Sequence, residues 1–146
     1  MLRIRMSRPI EASQVIQIWR NSVDATHDFL TAQHRQEIEK EVIGFFSQTP
    51  VWVATNQEDH PVGWMFLYEG HLEALFVDAS ARGRGVGKQL VSHALALHPD
   101  LSVDVNEQNQ QAIGFYQHMG FQVSGRSEKD GQGRPYPLLH LSKITM

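Results

Sequence analysis

Apolar and polar positions along the chain fall into short blocks whose period changes repeatedly. Leu2, Ile4 and Met6 alternate, which predicts a strand over Leu2–Met6. Pro9 and Glu11 open a helix over Glu11–Asn21, with Val15, Ile18, Trp19 and Ser22 at helical spacing. Ser22–Leu30 is less regular and reads as a bent helix or loop. Ala32–Phe46 predicts a second helix, with Ile38, Val42, Phe45 and Phe46 on one side. Glu37, Glu39, Lys40 and Glu41 form its other side, expected to be a solvated face open to a cationic substrate. Val51–Thr55 and Val62–Tyr68 read as strands around a polar turn, Asn56–Pro61, and His71–Val77 as a further strand. A glycine-rich turn leads into a helix over Gly85–His98, with Val86, Leu90, Ala94 and Leu95 inward and Pro99 as its stop. Leu101–Val105 alternates as a strand, and Asn109–Met119 is a helix with Gly120 as its left-handed cap. Phe121–Ser124 and Tyr136–Lys143 are the last strands, joined through an Asp130-Gly131 hairpin turn.

The order is β-α-α-β-β-β-α-β-α-β-β. The strand, helix, strand unit at 71–105 is a crossover and demands a parallel pair, whereas the hairpins demand antiparallel ones. The expected fold class is therefore α/β (mixed α+β), a mixed sheet with helices on both faces. With 146 residues, 41% apolar and 20% charged, one domain over 1–146 is expected. The absence of cysteine excludes disulfides, thiolate metal sites and cysteine nucleophiles. A net charge of −3 gives no overall positive field toward nucleic acid. No apolar run is long enough to span a membrane, and the N-terminus lacks signal-peptide character. These features predict a soluble, cytoplasmic protein.

The chemistry concentrates in Leu75–Leu90, LFVDASARGRGVGKQL. A buried-type strand ends at Asp78, Gly83, Gly85 and Gly87 follow at alternate positions, and an amphipathic helix begins. Helix N-termini present unpaired N–H groups and partial positive charge, and glycines let a phosphate approach the backbone. Arg82, Arg84 and Lys88 add charge, so a pyrophosphate cradle is expected. A P-loop would need a hydroxyl after Gly87-Lys88, but Gln89 stands there. A dinucleotide fingerprint would need G-x-G-x-x-G in a long doubly wound domain, and the spacing here is G-x-G-x-G. The R/Q-x-x-G-x-G/A signature of acetyl-CoA binding is matched at every fixed position by Arg82–Gly87. A plain glycine-rich turn with solvated arginines is the alternative.

With a second motif downstream, Asn109-x-x-Ala112-x-x-Phe115-Tyr116-x-x-x-Gly120-Phe121, the chain resembles the GNAT superfamily of acyl-CoA-dependent N-acetyltransferases. The segments Trp19–Leu30 and Gly133–Leu141 carry a narrower likeness to small bacterial members. The resemblance implies a GNAT-type fold with a largely antiparallel sheet of six or seven strands. It implies acetyl-CoA as cofactor and a primary amine as acceptor: peptidyl lysine, a protein N-terminus or a small molecule. Attack would be direct, in a ternary complex, since no cysteine can carry the acetyl group. A non-catalytic acyl-CoA-binding sensor or regulatory module is the competing function. The expected partners are acetyl-CoA and an amine, without nucleic acid or membrane, in a monomer or homodimer.

The resemblance also assigns residues. Leu75, Phe76 and Val77 would offer backbone groups to the pantetheine arm. Arg82, Gly83, Arg84, Gly85, Val86, Gly87, Lys88 and Gln89 would hold the pyrophosphate, with Asn109, Ala112 and Tyr116 also at the cofactor. Tyr116 would be the general acid for the departing thiolate; a phenol of pKa about 10 and a thiol of about 8.5 are well matched for this. Asn109 would cap its helix, contact the cofactor, or both. His71 and Glu73, two apart and so on one face of a strand, are the candidate bases for the amine, with a water-relayed base as the alternative. His71 falls where the histone-acetylating branch has its glutamate base. His27, Asp28, Trp64, Phe66 and His140 are weaker candidates for shaping the acceptor site. The eight histidines show no H-x-x-x-H spacing, and no metal site is expected.

Overall fold

A computed structural model of the chain describes residues 2–26 and 29–143. Its strands are β1 (Arg3–Met6), β2 (Trp52–Thr55), β3 (Pro61–Tyr68), β4 (His71–Val77), β5 (Ser102–Asn106), β6 (Phe121–Ser127) and β7 (Leu138–Lys143). Its helices are α1 (Ala12–Thr26), α2 (Ala32–Phe46), α3 (Val86–Leu97) and α4 (Gln110–His118), with 3₁₀ turns at Pro9–Glu11 and Ala79–Ala81. The element order is the expected one. The strands form a seven-stranded sheet in the order β1-β2-β3-β4-β5-β7-β6. β4 and β5 run parallel, as the crossover requires, and the pairs β1–β2, β2–β3, β5–β7 and β6–β7 are antiparallel.

Three boundaries differ from expectation. α1 is described as far as Thr26, so the first part of the segment read as a bent helix or loop is helix. β6 runs to Ser127 and β7 starts only at Leu138. The Asp130-Gly131 pair is not a two-residue hairpin turn. The Asp130 side chain accepts from the N–H groups of Gln132 and Arg134, and Gly133 carries the positive φ of 79°. An aspartate that bonds its own downstream backbone builds a wider loop than the dipeptide suggests.

The chain divides into two compact units, with boundaries inside β3, β4 and α3. The first comprises Met1–Phe66 and Ala74–His93. Here α1 and α2 lay Val15, Ile18, Trp19, Val23 and Val42 against Val53, Trp64, Phe66 and Phe76. Trp64 is fully buried and donates its indole N–H to Val15 O at 2.9 Å, which removes a penalty of about 1–3 kcal/mol for an unpaired donor. It is a core residue, not part of an acceptor surface. The opposite face of β3 receives α3. A methyl carbon on Gly63 would stand 2.7 Å from Val86 Cγ1 and 3.3 Å from Phe76 O, so glycine sets how closely α3 approaches. Helices thus cover both faces of this strand. The expected solvated face of α2 is in part a clasp: Arg35 bonds Asp24 and Glu39, Arg20 also bonds Glu39, and the Arg35 guanidinium lies 5.2 Å from the Trp19 ring.

The second unit comprises Leu67–Glu73 and Ala94–Met146. Its core is Leu72, Ala94, Leu101, Val103, Val105, Tyr116, Phe121, Tyr136 and Leu141. Strand alternation sends Ser102 and Asp104 to the face opposite Val103 and Val105. The register pairs His71 with Ser102, Asp104 with His140, and Ser102 with Ser142, so one sheet face is apolar and the other polar.

Candidate active site

In the first unit the glycine turn begins where β4 ends. Asp78 Oδ1 accepts from Ser80 N and Oγ, and its Oδ2 accepts from Asn21 Nδ2 at 3.2 Å. Burial opposes ionisation here, but these hydrogen bonds hold the Asp78 carboxyl below its ordinary value. Gly83 and Gly85 have φ of 80° and 77°, the left-handed region where side chains are strained. The first bond from loop to helix runs from Gln89 N to Gly85 O at 3.0 Å. The N–H groups of Val86, Gly87 and Lys88 precede it and have no intrahelical acceptor. A Cβ at Gly83 or Gly85 would meet no heavy atom within 4 Å, so open space lies over the loop. Arg82, Arg84, Lys88 and Gln89 are exposed, and the side chains of Arg84 and Lys88 make no hydrogen bond or ion pair to a described residue. A hollow lined by Gly85, Lys88, Gln89, Ser92 and His93 adjoins them. This arrangement fits a pyrophosphate.

Leu75, Phe76 and Val77 are half-buried in the strand before the turn. The β4–β5 register runs over His71↔Ser102 and Leu72↔Val103 and is carried no further.

In the second unit Asn109 is the N-cap of α4, its Oδ1 accepting from Ala112 N at 3.2 Å, so capping accounts for both residues. Tyr116 follows in the same helix, 5% exposed. Its ring is held edge-on by Phe115 at 5.0 Å and Phe121 at 5.5 Å. Burial pushes its phenol well above the ordinary tyrosine value, which keeps the proton on the oxygen. The hydroxyl makes no hydrogen bond to a described residue.

His71 and Glu73 lie on the polar face. Glu73 is exposed and unpaired among the described residues. His71 Nδ1 shares a hydrogen bond of 2.6 Å with Ser102 Oγ, and its Nε2 lies at an ion-pair distance of 3.4 Å from Asp104 Oδ2. Asp104 also meets His140 Nδ1 at 2.6 Å, and His140 Nε2 meets Ser127 Oγ at 2.7 Å. Sequence reasoning missed Ser102 and Asp104. The alternation in Leu101–Val105 marks both as outward, but only the register brings them to His71. Among the weaker candidates, Phe66 packs on Phe45 and Phe46 at 5.3 and 5.6 Å, whereas His27 and Asp28 lie outside the described residues. No cluster of metal-ligating side chains occurs among the described residues, and no helix among them is long and apolar enough to cross a membrane.

Comparisons with known proteins agree with this geometry. The acetyltransferase (GNAT) domain model matches residues 47–123. The peptidyl-lysine N-acetyltransferase YjaB of Salmonella typhimurium is 55% identical, covering 97% of this chain and 97% of its own. The solution structure of apo-form YjaB from Escherichia coli superposes with a TM-score of 0.95 at 51% identity, covering 100% of this chain and 99% of that one. PaiA N-acetyltransferase from Thermoplasma acidophilum, solved in complex with coenzyme A, shares the fold with a TM-score of 0.71 at 16% identity over 99% of each chain. With the glycine turn and the tyrosine motif in place, a family model matched over 47–123 and a relative 55% identical over nearly the full length, the chain belongs to the GNAT family of acetyltransferases.

Proposed function

We propose that residues 1–146 act as one N-acetyltransferase domain that transfers the acetyl group of acetyl-CoA to the side-chain amine of a peptidyl lysine, in a ternary complex. The observation that carries this reading is the turn at Gly83 and Gly85, open above and leading into α3, with Arg84 and Lys88 beside it and unpaired among the described residues. The name of the 55%-identical YjaB relative supports the choice of acceptor. The turn with Arg82, the first-turn N–H groups of Val86, Gly87 and Lys88, and the exposed side chain of Gln89 would hold the pyrophosphate. Leu75, Phe76 and Val77 would offer backbone N–H and C=O groups to the pantetheine amides. The register with β5, limited to His71 and Leu72, supports that role. Bound acetyl-CoA supplies the thioester carbonyl that the amine attacks. Tyr116 Oη would give its proton to the leaving sulfur, a role supported by its burial and by the lack of an acceptor for it among the described residues. His71 would take the proton that the lysine ammonium must lose, with Glu73 as the other candidate.

The test is coenzyme A release with acetyl-CoA and a lysine-containing peptide, compared with the same peptide carrying acetyl-lysine and a blocked N-terminus. Release that depends on a free lysine side chain supports the reading. Binding of acetyl-CoA without turnover on any amine would favour a non-catalytic acyl-CoA-binding module.

A further inference from the structure

The polar face of the second unit holds a continuous line of side chains from four strands: Ser102, His71, Asp104, His140 and Ser127. Their protonation is constrained by chemistry. An ionised Asp104 only accepts hydrogen bonds. At 2.6 Å from its Oδ1, His140 Nδ1 must donate, and His140 Nε2 is then left to accept from the Ser127 hydroxyl at 2.7 Å. Asp104 Oδ2 faces His71 Nε2 at 3.4 Å, an ion-pair distance at which a carboxylate disfavours a lone pair on that nitrogen, and the relay takes the His71 proton to sit there. His71 Nδ1 then accepts from the Ser102 hydroxyl at 2.6 Å. In this state His71 has no lone pair open to a substrate. The group that covers it is Ser102.

We infer that Ser102 is the residue that meets the acceptor amine, with His71 storing the proton behind it and Asp104 and His140 as positioning residues. This rests on the proposal that His71 takes the amine's proton. The ammonium donates to Ser102 Oγ while the Ser102 hydroxyl proton passes to His71 Nδ1. One proton leaves the nitrogen, one arrives on the imidazole, and the serine ends as it began. The imidazolium then keeps its Nε2–H on the side of Asp104 Oδ2, 3.4 Å away. The order hydroxyl, imidazole, carboxylate is that of a catalytic triad, here carrying a proton and not an acyl group. His140 orients Asp104 as a second imidazole anchored by Ser127. The other ionisable group facing His71 from its own strand is Glu73, which makes no pair with a described residue. His71, Asp104 and His140 retain side-chain exposures of 25%, 36% and 36%, so solvent and a substrate amine have access to the line.

The experiment uses the full chain, saturating acetyl-CoA and a lysine peptide, with Ser102→Ala, Asp104→Asn, His140→Leu and His140→Asn compared with His71→Gln. Ser102→Ala and Asp104→Asn should each lower kcat by roughly 10²-fold, the lower end of what a positioned acid or base contributes, with little change in KM for acetyl-CoA. His140→Leu should lower kcat, and His140→Asn, which restores a donor near the Nδ1 position, should recover most of it. Independently of turnover, nitrogen NMR of the unliganded protein should find His71 protonated at Nε2, and Asp104→Asn should mix its tautomers. His71 protonated at Nδ1 in the native protein would overturn the relay. So would an impaired His71→Gln beside native rates for Ser102→Ala and Asp104→Asn, which leaves His71 as base without a relay. A native rate in His71→Gln overturns the base assignment itself and the relay with it.

Discussion

The glycine turn of the first unit and the polar face of the second prepare for ligands by opposite means. The turn works through backbone. Gly83 and Gly85 adopt left-handed conformations, the first N–H groups of α3 have no intrahelical acceptor, and the flanking charged side chains are exposed. The polar face works through side chains. His71, Asp104 and His140 are held at 2.6–3.4 Å by partners on neighbouring strands. Backbone recognition tolerates changes of exposed side chain but not added bulk at the glycines. A side-chain network tolerates neither loss of a single polar group nor a shift of register. The first kind suits a large anion of fixed shape, and the second suits movement of a proton.

The contrast is most easily broken at Gly85. Gly85→Glu forces a side chain into φ of 77° and adds like charge to the anion site, so calorimetry should register no acetyl-CoA binding by the folded variant. Unchanged affinity would mean that the turn is not the cradle. The next effect belongs to Tyr116: Tyr116→Phe should reduce turnover by roughly 10²–10⁴-fold with cofactor affinity almost unchanged. Native turnover would make the hydroxyl structural.

A third prediction uses an ion cluster belonging to neither region. Glu11 is 6% exposed and accepts from Arg5 at 2.9 and 2.7 Å and from Arg8 N at 2.8 Å. The hydrogen bond from Arg5 foremost holds its carboxyl below the ordinary value near 4.5. A depressed carboxyl contributes stability that is complete above that ordinary value and lost as pH falls through the lower folded value. Glu11→Gln should therefore cost about 1–3 kcal/mol in denaturant unfolding at neutral pH, and the gap should close in acid while acetyl-CoA affinity at neutral pH persists. The smallest effect sharpens the contrast from the other side. Lys88→Gln removes one exposed charge but keeps the N–H, and should weaken acetyl-CoA binding by less than about 1 kcal/mol. Complete loss of binding would make the side chain, and not the backbone, the main recognition element.

Much of the fold was legible because its signals are local. The period of two in Leu101–Val105, the helical spacing of Val15, Ile18 and Trp19, and the crossover at 71–105 all appear in the structure as read. Less regular segments were misjudged where a local bond unseen in composition took over. The Asp130 side chain widened a loop, and Arg35 joined Glu39 and Asp24 where a solvated face was expected.

The candidate site divides in the same way. Arg82–Gln89 and Asn109–Tyr116 are contiguous motifs, and their chemistry follows from neighbours along the chain: glycine at left-handed φ, a helix N-terminus, an asparagine cap. The sequence by itself therefore determined the order of elements, the mixed sheet and the position of the glycine turn. The partners of His71 come from positions 102 and 104, and through Asp104 from 140 and 127. No spacing announces them, because a contact between strands depends on which strands pair and in what register. Burial of Leu72, Val103, Val105 and Leu141 on the opposite face sets that register. Only the tertiary structure decided that His71 meets a serine and an aspartate, since the packing of the apolar face dictates what lines up on the polar one.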